Sequence, residues 1–227
     1  LLSSVGFSSP PFWLRPYRVL STGQKFRVAV ARALSEDRAI TVIDEFTSVV
    51  DRRVAQIGSI AVAKTVRRRG QKFVAVTCHY DVLDWLQPDW VYEPHLRRFQ
   101  WRCLQQHPGL CMEIYRCNYS AWEIFSSHHY MSGALNRSAR CFAGLVDGQL
   151  SSFMAILCQP TRNGSRMLRG HRTVVLPDYQ GVGIGNKFIE EVARLCLAAG
   201  ERYVATTSHP AINNYRVKSP LWRCTRL

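Results

Sequence analysis

Along the first ninety residues the apolar positions alternate between a helical period and short continuous runs. Helical spacing begins near Gln24 in "QKFRVAVARALSED" and gives way to the β-rich run "AITVIDEF". It returns in "DRRVAQIGSIAVAKTVRRRG" and ends before a second β-rich run, "QKFVAVTCH". This alternation predicts βαβ units on a parallel sheet. The basic cluster Val66–Gly70 fits a helix C-terminus, where cations complement the dipole and a glycine ends the helix.

A polar connector rich in Arg and containing Pro, Glu93–Leu110, separates this segment from a second one. There "CMEIYRC" reads as a strand and "SAWEIFSSHHYMSGAL" as a helix. "ARCFAGLV" and "QLSSFMAILC" flank Asp147-Gly148, a dipeptide that predicts a hairpin. A strand "HRTVVLP", a glycine-rich turn "DYQGVGIG", a helix "NKFIEEVARLCLAAG" and a strand "RYVATTSHP" complete the pattern. No internal repeat or low-complexity tract interrupts it.

Composition changes this picture only modestly. With 47% hydrophobic and 20% charged residues, the 227-residue chain is that of a globular protein of one large or two small domains. No apolar run is long enough to span a bilayer and no signal-peptide pattern opens the chain, so no membrane partner is expected. The net charge of +14 is almost all arginine and favours polyanions, nucleic acid among them, although solvated arginine faces would produce the same number. Eight cysteines without a C-x-x-C pair or zinc spacing suit a reduced, cytoplasmic setting.

The first candidate chemistry lies in "LSTGQ", Leu20–Gln24. A Ser hydroxyl and a Gly-opened backbone at a helix start form an anion site, and equally an N-cap. About twenty residues on, "ITVIDE" ends a strand in Asp44-Glu45; "TSVVD" closes on Asp51; "VAVTCH" puts His79 at the end of the next strand. In this order and spacing the residues resemble the signature, Walker B, D-loop and H-loop motifs of the ABC-type ATPases. The resemblance implies that Ser21, Thr22, Gly23, Gln24 and Asp51 contact a nucleotide in trans. It further implies that Asp44 orients Mg²⁺, Glu45 polarises water and His79 touches the γ-phosphate of ATP. None of the 14 glycines is followed by Lys, so no phosphate-cradling Walker A loop is present. Residues 1–92 are therefore expected to form the second half of an ABC module. A homodimer partner or a separate ABC subunit would supply the missing loop.

The second candidate is Gln180-Gly181-Val182-Gly183-Ile184-Gly185, followed by Asn186, between an apolar strand and a helix. Glycines admit a close backbone approach, and N–H groups at a helix start bind phosphate oxygens. The same letters suit a dinucleotide fingerprint, but no acidic residue follows at the spacing that ribose recognition needs. The turn and the strand–helix–hairpin order before it resemble the GNAT superfamily of N-acetyltransferases. That resemblance implies acetyl-CoA as cofactor, with its diphosphate on Gln180–Asn186 and its thioester along Val174, Val175 and Leu176. An amine acceptor would attack the thioester directly. A base would deprotonate the amine and a Tyr on a later helix would protonate the thiolate. His171 is the nearest titratable candidate for the base and Tyr215 the counterpart of the Tyr, with Glu113 and Glu123 as remote alternatives.

The expected fold class is α/β: a partial ABC-like segment (1–92), a connector (93–110) and a GNAT-like domain (111–227) whose sheet is mixed and mostly antiparallel. The domain is expected to stop short of its family's last strands. The order resembles a small group of prokaryotic and phage ABC-type ATPases fused to an acetyltransferase. Three functions stay open at this level: an N-acetyltransferase coupled to an ATPase module, a nucleic-acid-associated ABC ATPase with a non-catalytic GNAT-like part, and a fragment with neither activity.

Overall fold

The computed structural model describes residues 1–36, 38–101, 110–129, 133–161, 166–207 and 209–225. A single-turn helix α1, Pro10–Trp13, precedes α2, Thr22–Ser35. Ser21 caps α2: its Oγ accepts from Gln24 N–H at 3.3 Å, while Gln24 Oε1 accepts from Ser21 N–H at 3.0 Å. Two helix-end donors are thereby satisfied reciprocally. The apolar stripe Phe26, Val30, Ala31 and Leu34 packs with Val5, Phe46, Val62 and Val82 into the first core.

Strand β1, Thr41–Ile43, runs parallel to β2, Phe73–Ala75. The parallel βαβ unit is as the pattern predicts, but both strands are shorter than their apolar runs. After Ile43 the backbone turns, with Glu45 at φ 52° and Thr47 at φ 70°. His79 consequently lies beyond the end of β2, its N–H on Thr77 Oγ1, rather than at the end of a strand. Between the strands runs α3, Arg52–Arg69, with Asp51 Oδ1 accepting from the N–H groups of Arg53 and Val54 at 3.0 Å. It stops at Gly70 in the left-handed conformation behind three arginines. Asp51→Ala should lower stability by about 1 kcal/mol, the usual worth of an N-cap, read as a shift in urea midpoint at constant slope.

A short helix α4, Val82–Leu86, leads to a hairpin, β3 (Trp90–Glu93) and β4 (Arg98–Trp101). Trp90, Phe99 and Trp101 stack along it, and Glu93 pairs with Arg98 at 2.6 Å. The expected connector thus begins inside a hairpin; residues 102–109 of it lie outside the described residues.

The second half is a five-stranded sheet in the order β5 (Met112–Cys117), β6 (Arg140–Val146), β7 (Gln149–Pro160), β8 (Arg166–Val175) and β9 (Arg202–Val204). All pairs are antiparallel except β8 with β9, which matches the mixed sheet expected. Asp147 (φ 49°) and Gly148 (φ 73°) make the two-residue turn between β6 and β7. Two helices sandwich this sheet. The shorter, α5, Trp122–Ser126, lies on one face, with Trp122 and Phe125 packed on Phe153, Ala155 and Val174. The longer, α6, Ile184–Ala198, covers the other, burying Phe188, Ile189, Val192 and Cys196 against Phe142, Met154, Ile156 and Leu168.

The helix expected over Ser120–Leu135 is therefore only partly realised. It ends at Ser126, and the chain doubles back so that Gly133 O accepts the Trp122 indole N–H. Residues 130–132 of that expectation lie outside the described residues. The last helix, α7, spans Pro210–Lys218.

The two halves share a seam. Ile57 of α3 is buried with Val146, Tyr179 and Ile184. Arg27, 1% exposed, reaches across to Asp178, with Nη2 on its carbonyl oxygen at 3.0 Å and Nη1 at 3.4 Å from Oδ1. Burial lowers the Arg27 pKa, and the Asp178 carboxylate acts against that shift.

Candidate functional site

Strand β8 positions the site by parting from one neighbour and bulging against the other. Toward β9 it pairs only through Met167, Leu168 and Arg169, and the two chains separate beyond Arg169. Toward β7 the register shifts: Ala155 faces Arg172 and Ile156 faces Gly170, which leaves His171 as the extra residue of a bulge. A bulge re-aims a side chain. Here His171 lines a cavity of about 180 Å³ that opens between the diverging strands.

The cavity is walled by Gly170, His171, Thr173 and Val175 of β8, and by Tyr203, Ala205, Thr207 and His209 in and after β9. Ile189 of α6, Ile212 and Arg216 of α7, His128 and Ser8–Pro10 complete it. His171 Nε2, Tyr203 Oη, His128 Nδ1 and His209 Nδ1 are buried without a hydrogen-bond partner among the described residues. Buried polar atoms normally find partners, so this cavity is chemically suited to receive a polar group. Burial lowers the His171 pKa, and the cationic Arg172 and Arg169 lower it further, leaving the imidazole neutral at pH 7. Burial likewise raises the Tyr203 phenol, which keeps its proton.

Beside the cavity, Gly181 (φ 93°) and Gly183 (φ 96°) shape the turn into α6. Both angles lie where side chains are strained. Gly183 is the N-cap and supplies no side chain, so the N–H groups of the first turn are left to a ligand or solvent. Lys64 Nζ of α3 would lie 3.8 Å from a Cβ placed on Gly183, adding a cation to the same corner. Gly185 lets the helix approach β8, since a Cβ there would stand 3.2 Å from Val175 Cγ2. These features fit a phosphorylated carrier whose diphosphate rests at the helix start.

The structure brings together Val174, Val175, Leu176 and Gln180–Asn186 as one strand–turn–helix corner, with His171 and the cavity alongside. Gln180 is partly spent inside the protein: its Nε2 donates to Val175 O and its Oε1 accepts from Ser8 N–H, each at 2.9 Å.

Tyr215 lies apart from this cavity. Its hydroxyl donates to Glu190 Oε1 at 2.8 Å, and it does not line the cavity. Ile212 and Arg216, one helical turn apart, take the cavity face of α7, which turns Tyr215 toward α6. Glu113 is engaged at the sheet edge by the Tyr115 hydroxyl, and Glu123 is exposed on α5.

Sequence reasoning misses Tyr203. Its signal lies in "RYVATTSHP", where a large phenol meets in space the glycine that makes room for it. A Cβ on Gly170 would stand 2.8 Å from Tyr203 Oη.

In the first half, Ser21 and Gln24 satisfy each other, Asp51 caps α3, and Asp44 Oδ1 accepts from Glu45 N–H at 2.9 Å. Thr22 and Gly23 lie in the first turn of α2, with Gly23 packed toward Val54. Ser21, Gln24, Asp44 and Asp51 thus have local structural roles, and these motifs do not assemble into an ATP or Mg²⁺ site among the described residues. Among the described residues no group of three or more His, Cys, Asp or Glu side chains converges as metal ligands. No helix among them is long and apolar enough to cross a membrane.

A glycine turn at an uncapped helix start thus stands beside a strand that bulges and parts from its neighbour. The model of the acetyltransferase (GNAT) family matches residues 80–218, more than half of the chain, and the protein belongs to that family. No curated protein matches the chain. Among solved structures, it is similar to a ribosomal-protein-alanine N-acetyltransferase from Brucella melitensis biovar Abortus 2308, at 15% identity over 52% of this chain and 94% of that one, with a TM-score of 0.41. It is also similar to AAC(6')-Iy bound to a CoA bisubstrate analogue, at 17% identity over 52% and 94%, TM-score 0.41. Glucosamine-6-phosphate N-acetyltransferase from Arabidopsis thaliana is a third, at 12% over 46% and 88%, TM-score 0.37.

Proposed function

We propose that the protein is an acyl-CoA-dependent N-acetyltransferase whose reaction centre is the cavity between β8 and β9. The observation that carries this reading is the pairing of that cavity, with its unpartnered His171 and Tyr203 atoms, with the glycine turn at the start of α6. Acetyl-CoA, when bound, supplies an acyl thioester open to attack by an amine. The N–H groups of Ile184, Gly185 and Asn186 would hold its diphosphate, with Lys64 close by. His171 Nε2, neutral at pH 7, takes the proton of the acceptor amine. Tyr203 Oη, kept protonated by burial, is the cavity's proton donor.

Titration with acetyl-CoA should show saturable binding, and thiol release with a panel of primary amines should identify an acceptor. Tyr203→Phe is expected to lower kcat about 100-fold with little change in KM for acetyl-CoA. Tyr215→Phe should instead cost about 1 kcal/mol of stability through the lost Glu190 bond, with kcat nearly intact. The opposite ranking of the two variants would remove Tyr203 from the mechanism.

A further inference from the structure

We infer that the segment Phe7–Trp13 is a strap that competes with the coenzyme for Gln180 and the cavity beside the glycine turn. The inference rests on the coenzyme reading above. Gly6 lies so close to the turn that a Cβ on Gly181 would stand 2.6 Å from both Gly6 N and Gly6 Cα. Conversely, a Cβ on Gly6 would stand 2.6 Å from Gln180 O. Ser8 N–H holds Gln180 Oε1 at 2.9 Å. Pro10 walls the cavity, and Phe12 stacks on His128 with ring centroids 6.2 Å apart. Ser8 and Pro10 of the strap thus engage Gln180 and wall the cavity, with Gly6 against Gly181 at its root.

The root of the strap is anchored: Val5 sits in the first core and Thr65 Oγ1 donates to Ser4 O at 2.8 Å, while Trp13 Nε1 folds the strap on itself by donating to Phe7 O at 2.7 Å. Burial of Phe7 biases the equilibrium toward the closed arrangement. Gly6, at φ 89°, is the hinge from which Phe7–Trp13 can swing while Val5 and Gly6 stay in place. Coenzyme binding then requires the open form, and its apparent Kd is the intrinsic value divided by the open fraction.

Acetyl-CoA titration of the 227-residue chain tests this with two variants. Gly6→Ala places a methyl on Gln180 O in a strained backbone conformation, and should tighten binding about tenfold by raising the open fraction. Phe12→Ala removes only the stack on His128, and should tighten it about threefold without threatening the fold. Saturating acetyl-CoA should also speed tryptic cleavage after the exposed Arg18, just beyond the strap. Binding by Gly6→Ala where the wild type shows none would support the strap most directly. Equal affinity in the wild type and both variants, with unchanged cleavage after Arg18, would overturn the strap and leave the coenzyme reading standing. No binding by any of the three would overturn both.

Discussion

Gly183→Val is expected to abolish acetyl-CoA binding at micromolar concentrations, raising Kd by about 100-fold or more. Two effects add at this position. The backbone sits at φ 96°, where a β-branched residue is an outlier and the strain is roughly 1–3 kcal/mol. The new side chain would also stand over the first-turn N–H groups, each worth about 1.5–3 kcal/mol toward a charged acceptor. A matched control separates strain from blocked access. Gly200, at φ 76° beyond the opposite end of α6, would carry a Cβ into open space, with nothing within 4 Å of it. Gly200→Ala should therefore cost stability while leaving the Kd for acetyl-CoA unchanged. If both variants bind normally, the turn does not hold the diphosphate.

His171→Gln is expected to lower kcat by about 10²–10⁴-fold while acetyl-CoA still binds. Its sign against pH follows from the environment. Burial, then Arg172 and Arg169, depress the imidazole pKa below its ordinary 6.5, so the base form dominates at neutral pH. The rate carried by His171 should be flat near pH 7 and fall as the pH drops through that lowered pKa. His171→Gln should remove this acid limb from the profile of kcat. A limb that persists in the variant assigns the titration to another group, with His128 the next candidate at the cavity wall.

The helices and the hairpin turn are legible in the sequence because their signals are local. Asp51 and Gly70 bracket α3 by capping chemistry alone, and Asp147-Gly148 fixes its turn through backbone angles. The glycine turn after Leu176 is legible for the same reason. Strand lengths in the first half are not. "AITVIDEF" holds enough apolar residues for a longer strand, yet left-handed residues at Glu45 and Thr47 end it at Ile43.

The site is half legible. His171 stands out from its place in the chain, but its bulge depends on the register between β7 and β8. Choosing between Tyr203 and Tyr215 requires knowing which side of α7 meets the sheet. The strap has no sequence signal at all. "SSPPFW" looks like an unstructured start, and its contact with Gln180 spans 172 positions of the chain.

The seam at Arg27 carries a consequence for how the protein comes apart. Burial strips the guanidinium of water by more than Asp178 offsets, so parting the halves would rehydrate the charge rather than strand it. Resistance to separation therefore comes from the apolar packing of Ile57 with Val146, Tyr179 and Ile184.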